Sequence, residues 1–159
     1  MYKIKILNLA LAVLMAFCAV GCVNAEQPDK SKNIVQNEEK VTVKMQKLKI
    51  RINGQQFTAE LYDNPTVHNF IGRLPLTLNM KDLHGNEKYC YLDDALPCKN
   101  KRVGRINAGD IMLFGSDCLV VFYKSFNTSY SYTPFGKIEN ANALEKVLGH
   151  GNVQMEFSL

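Results

Sequence analysis

From residue 41 onward the chain changes its hydrophobic rhythm every few residues, and each change marks an element. Val41, Val43 and Met45 alternate with Thr42, Lys44 and Gln46, and the period of two resumes as Leu48, Ile50 and Ile52 against Lys47, Lys49 and Arg51. Apolar residues on one side and charge on the other give a half-buried strand. Asn53-Gly54 is a strong hairpin turn, and Phe57, Ala59 and Leu61 alternate on its far side. The domain therefore opens with an antiparallel pair.

The rhythm then lengthens. Asn64 can cap a helix, Pro65 suits the first helical position, and Val67, Phe70, Ile71 and Leu74 follow at spacings of three and four before Pro75 stops the run. Leu76, Leu78 and Met80 alternate again, His84-Gly85-Asn86 turns, and residues 89–92 read as a return strand. Residues 93–107 are polar, contain Pro97 and Gly104, and read as loop.

Next come two short apolar runs, 111–114 and 118–123, joined by Gly115-Ser116-Asp117. They are too short for helices and too apolar for a surface, which makes them a buried hairpin at the floor of the core. Residues 125–132 are dense in hydroxyls and rings, and Phe135-Gly136-Lys137-Ile138 reads as a strand. Asn140 is placed to cap a second helix over 141–148 that Gly149 ends, and Val153, Met155 and Phe157 form a last alternating strand. About eight strands, mostly antiparallel between sequence neighbours, and two short helices predict a mainly β fold. The last strand lacks a partner unless it meets the first, so the expectation is a closed or nearly closed eight-stranded barrel with helices across its ends.

Ahead of this domain, residues 1–21 read as a signal peptide, with Lys3 and Lys5 before an apolar stretch at 6–20. Two processing sites compete. Ala19-Val20-Gly21-Cys22 resembles a bacterial lipobox, although Ala19 stands where leucine is usual, and it would make Cys22 the lipid attachment point; Val23-Asn24-Ala25 fits ordinary cleavage and a secreted or periplasmic soluble protein. Lipid attachment is the preferred reading, which places the protein at the cell envelope. Residues 22–40 are polar and without aromatic side chains, a flexible tether to the domain at 41–159.

The formal charge of +4 falls to about +2 once Lys3 and Lys5 are removed, and the lysines are scattered, which argues against nucleic acid. Of five cysteines, Cys18 leaves with the leader. Cys90 and Cys98 bracket a turn-rich loop and could form a disulfide in an oxidising compartment, contributing about 2–3 kcal/mol through loop closure. Cys118 opens a buried strand and reads as a small hydrophobe. His68, His84 and His150 stand far apart without metal spacing, so no metal and no cofactor are expected. Ser116 lacks the surroundings of a hydrolase nucleophile.

The rings offer more. Tyr91, Phe114, Phe122, Tyr123, Tyr130 and Tyr132 are expected to line one apolar groove, with Arg73 reaching toward it from the helix end or serving only the helix dipole. Taken singly, each tyrosine is as well explained by filling a half-buried β position.

Several short segments resemble cyclophilins. Asn64-Pro65-Thr66-Val67-His68-Asn69-Phe70 is similar to their P-x-T-x-x-N-F helix with one residue fewer between Pro and Asn. Residues 109–114 and 119–123 look like their Gly-initiated strand and the aromatic strand after it, and Pro134-Phe135-Gly136-Lys137-Ile138 is similar to V-F-G-K-V before their second helix. The phrasing of 109–138 is closer still to bacterial cyclophilin-like domains of unknown function. The resemblance implies a cyclophilin-like barrel over 41–159 and a peptide groove.

It also implies where catalysis would sit, and there the chain departs. Cyclophilins carry their isomerase arginine in F-H-R, followed by F-M-x-Q-G-G; the interval here holds Tyr89-Cys90-Tyr91-Leu92-Asp93-Asp94 and neither motif. Rotation about a peptide bond faces about 18–20 kcal/mol, and the arginine lowers it by meeting the lone pair that develops on the prolyl nitrogen. Without that cation a groove can bind a peptide but has no means to favour the transition state. The sequence therefore favours a non-catalytic binding module for a peptide or small-molecule ligand, tethered to the membrane by its lipid anchor. A prolyl cis-trans isomerase with a displaced Arg73, Arg102 or Arg105 is the alternative, and a structural partner for another envelope protein is a third.

Overall fold

The computed structural model describes residues 46–159. The leader, the tether, Cys22 and the alternating residues Val41, Val43 and Met45 lie outside the described residues. In chain order the elements are β1 (Lys47–Ile52), β2 (Gln55–Leu61), α1 (Pro65–Ile71), β3 (Leu76–Leu83), β4 (Glu87–Tyr91), β5 (Lys101–Arg102), β6 (Arg105–Ile106), β7 (Asp110–Phe114), β8 (Cys118–Phe122), β9 (Phe126–Asn127), β10 (Ser131–Ile138), a 3-10 turn (Ala141–Ala143), α2 (Leu144–Leu148) and β11 (Val153–Ser158).

Eight strands close into an antiparallel barrel in the order β2-β1-β11-β3-β4-β8-β7-β10, and β10 returns to β2. The last strand does meet the first: Ile50 faces Phe157 and Ile52 faces Met155. Alternation supplies the interior, since Leu48, Ile50 and Ile52 of β1 are fully buried while Lys47, Lys49 and Arg51 are exposed.

α1 closes one end. The Asn64 side-chain oxygen accepts the Val67 N–H at 3.0 Å, Pro65 opens the helix, and Asn64 Nδ2 donates to the Pro134 carbonyl at 3.0 Å. Phe70 then sits fully buried, edge-on to Phe135 at 5.0 Å and to Phe157 at 6.0 Å between centroids. α2 closes the opposite end, where Asn53 in the β1–β2 turn donates to the Val147 carbonyl at 2.9 Å.

Three expected elements differ. The second helix is a 3-10 turn followed by α2, and Asn140 adopts φ 52° with no side-chain cap, so it turns the chain instead of capping. The loop 93–107 contains the short strands β5 and β6, which pair with β10 and β9 across the outside of the barrel. The first helix ends at Ile71 with Gly72 as its C-cap, before Leu74 and Pro75.

The β7–β8 hairpin is buried on both faces, which accounts for its unbroken apolar runs. Ile111, Leu113, Leu119 and Val121 point into the barrel. Met112, Cys118, Val120 and Phe122 point outward into a second cluster with Ile106 and Tyr132.

Candidate functional site

The second cluster is the floor of a groove on the outside of the barrel. β4, β8 and β7 form its base and the segment 126–130 its wall. The wall is tied down by β6–β9 pairing, by the Thr128 N–H to the Gly104 carbonyl at 2.9 Å, and by the Ala108 N–H to Ser125 Oγ at 2.9 Å. The cavity holds about 480 Å³, in the range of small-molecule sites.

Rings run the length of this groove in mutual contact. Phe114 meets Tyr130 edge-on at 6.0 Å and Tyr132 at 5.6 Å; Tyr132 meets Phe122 at 5.6 Å, and Phe122 meets Phe126 at 5.8 Å. Tyr89 and Tyr91 form a further edge-on pair at 6.0 Å. Tyr91 and Tyr130 remain 63% exposed and Phe114 41%, an apolar surface that a soluble strand face would ordinarily cover.

The structure therefore brings together Tyr91, Phe114, Tyr130 and Tyr132 of the expected groove residues. Phe122 is fully buried beneath the floor and supports the lining from behind. Tyr123 faces the other way: its ring belongs to the barrel core, and its hydroxyl donates to Asp82 at 2.7 Å. Arg73 is elsewhere too, donating to Asn69 Oδ1 at 2.8 Å and to the carbonyls of Asp94 and Ala95 at 2.9 and 3.1 Å. It fastens α1 to the loop after β4. Among the lining residues there is no lysine or arginine. Arg105 reaches Asn127 at 3.4 Å, and Arg102 borders a neighbouring hollow with Tyr62 and Met112.

Cys90, Cys98 and Cys118 are free thiols, so the expected Cys90–Cys98 bridge is not formed. The loop between them is drawn to α1 by Thr66, which donates to the Pro97 carbonyl at 2.5 Å, and just beyond it the Lys99 N–H donates to Thr133 of β10 at 2.8 Å. Cys90 stays on β4 opposite Leu119. Cys118 lines the groove, but burial, aided by the charge of Asp117, pushes its thiol up to about 11, which leaves it a poor nucleophile. Among the described residues no three His, Cys, Asp or Glu side chains are grouped to hold a metal.

Sequence reasoning missed Tyr89, Phe126 and Glu87. β4 reads Glu-Lys-Tyr-Cys-Tyr, and its buried phase is the reverse of the usual one: Lys88 and Cys90 turn toward the barrel, while Glu87, Tyr89 and Tyr91 line the groove. Burial, with the charge of Asp82 second, pushes the Glu87 carboxyl up to about 7. Its folded-state affinity for a proton exceeds the unfolded one, so stability falls as pH rises from about 4.5 to 7. Glu87→Gln should match the wild type at pH 4 and exceed it by about 1–3 kcal/mol at pH 8, measured by urea unfolding. Equal stability at pH 8 would show that the carboxyl is not penalised.

Comparison with known proteins bears on the fold. Among solved structures the chain is similar to McbB, determined in complex with tryptophan, at 17% identity and a TM-score of 0.51, covering 70% of this chain and 44% of that one. The chain thus spans less than half the length of McbB, and at this identity the likeness is one of fold. It is also similar to the solution structure of the hypothetical protein AF2241 from Archaeoglobus fulgidus, at 17% identity and a TM-score of 0.48, covering 72% of this chain and 94% of that one. No curated protein matches the sequence. The profile of the Cyclophilin-like family matches residues 50–158, nearly all of the described barrel, and the chain belongs to that family.

Proposed function

We propose that this protein is a non-catalytic binding module that holds a peptide or small molecule in the aromatic groove and is displayed at the cell envelope by lipid on Cys22. The observation that carries the binding reading is the groove itself: connected ring faces left open to solvent along a walled cleft. The leader at 1–21 and the small residues before Cys22 support the envelope location.

The lining also supports binding without isomerisation. Prolyl rotation needs a positive group placed where charge develops on the nitrogen. Arg73 is bound to Asn69, Asp94 and Ala95, and neither Arg102 nor Arg105 lines the groove. A standard proline-peptide assay should show no rate above the uncatalysed one. Acceleration that disappears in Arg102→Ala or Arg105→Ala would overturn this reading. Ligand-induced shifts in amide NMR spectra should concentrate on residues 87–91, 114–120 and 126–132, and shifts confined to any other face would equally defeat it.

A further inference from the structure

The groove has one polar end. Glu87 lies there, opposite Phe122 on β8 and Leu83 on β3, with His84, Asn86 and the wall residues 126–129 around it. Glu87 makes no ion pair among the described residues, and no lysine or arginine shares the lining. Asn86 Oδ1 beside it is buried without a hydrogen-bond partner. Both groups accept hydrogen bonds, and the nearest acidic neighbour, Asp82, already takes bonds from Lys88 and Tyr123. The polar end therefore has acceptors to spare and holds no lysine or arginine to pair with them.

The geometry points to an organic cation as the missing partner: the ammonium group of a small ligand meets Glu87, and its apolar body lies among Tyr89, Phe126, Tyr132 and the rings beyond. This inference rests on the groove being a binding site. A cation is attracted both by the carboxylate and by the faces of tyrosine and phenylalanine rings, whereas an anion would be repelled by Glu87 and a neutral ligand would leave it unpaired. The arrangement favours a small molecule over a peptide lysine. The cavity of about 480 Å³ is of small-ligand size, and its single charged group sits at one end of a run of rings, matching a compact ligand with one charged head.

A proton and a cation compete for the same carboxylate. With its pKa pushed up to about 7 by burial, Glu87 is mostly ionised at pH 8 and mostly protonated at pH 6. Cation affinity should therefore fall about tenfold from pH 8 to pH 6. The other titratable groups around it are Asp82 of β3, Lys88 of β4, His84 in the turn, Cys118 of β8, Tyr123 and Tyr132. Asp82 is held ionised by Lys88, and the thiol and both phenols are pushed up, away from this range.

Calorimetry of the full chain with phenethylamine and with uncharged N-acetylphenethylamine tests the inference. The amine should bind at least about tenfold tighter at pH 8 and lose that advantage at pH 6. In Glu87→Gln the amine should fall to the level of the acetylated compound at both pH values. Equal binding of the two compounds to the wild type would overturn the cation site and leave the groove standing. Binding of neither would overturn both. A blocked Phe-Lys peptide that binds more tightly than phenethylamine, with its acetyl-lysine form weak, would reject the small-molecule occupant.

Discussion

Asp82→Ala should destabilise the domain by about 3–5 kcal/mol at pH 7, because it strands a buried charge. Lys88 is 0% exposed, and its ammonium makes three hydrogen bonds: to Asp82 Oδ2 at 2.5 Å, to the Gly149 carbonyl at 3.0 Å and to the Gly151 carbonyl at 2.7 Å. The Tyr123 ring lies 5.3 Å from the same nitrogen. Asp82 also accepts from the Tyr123 hydroxyl at 2.7 Å and from the Gly85 N–H at 3.0 Å. The carboxylate thus neutralises the lysine and joins the β3–β4 turn to the loop between α2 and β11. Without it two carbonyls remain to solvate a full positive charge, far short of what water supplies.

The acid side of the stability curve provides a second readout. The hydrogen bond from Lys88 draws the Asp82 carboxyl down to about 2. A depressed folded pKa means that its contribution is complete above the unfolded value near 4 and is lost as pH falls toward 2. The deficit of Asp82→Ala should therefore be largest at neutral pH and shrink by about 2 kcal/mol on acidification. Lys88→Met added to Asp82→Ala removes the stranded charge and should recover most of the loss. A double variant no more stable than Asp82→Ala alone would mean that the lysine, not its unpaired state, is what the fold requires.

This network shows where the sequence stopped being readable. Alternation works when one face of a strand meets the core and the other meets water, as in β1, β2 and β11. The turn Asn53-Gly54, the Asn64-Pro65 helix start and the β7–β8 hairpin were legible for equally local reasons. β4 breaks the premise, because its outer face is the floor of a groove walled by residues 126–130, a segment distant in sequence. An inward lysine is then possible only because Asp82 and two carbonyls from the far end of the chain meet it. Asp82 lies six residues from Lys88, but the Gly149 and Gly151 carbonyls are 61 and 63 residues away, outside any local window.

The groove was half legible for a related reason. Adjacent residues of a strand point to opposite sides, so Phe122 and Tyr123 could never line one surface, and the phase set by Leu119 and Val121 already placed Tyr123 inside. Tyr89 and Phe126 were missed because their partners come from different elements. Arg73 was misplaced because its carbonyl partners, Asp94 and Ala95, lie in a loop whose path follows no periodic signal.

Gly136→Ala should lower stability by about 3 kcal/mol, through the seam that turns the sheet into a barrel. β10 meets β2 through three register pairs, Gly136 with Leu61, Lys137 with Glu60 and Ile138 with Ala59. At Gly136 the two backbones come so close that an added Cβ would stand 2.5 Å from the Glu60 carbonyl oxygen and 3.3 Å from Leu61 Cα. Backbone cannot rotate aside as a side chain can, so the strands must part locally and lose seam hydrogen bonds. The register of β10 against β7 also shifts between Pro134 and Gly136, so the same residue sits where the strand bends between its two neighbours. A fall of roughly 10–20 °C in Tm is expected for a domain of this size, with faster hydrogen exchange at the β2–β10 seam and little change between β3 and β11. Gly72→Ala is the control, since its Cβ would meet only the Asn69 and His68 carbonyl oxygens, at 3.4 and 3.9 Å. If Gly136→Ala unfolds with the wild-type midpoint, the close approach at the seam does not limit the barrel, and the glycine is there for some reason other than space.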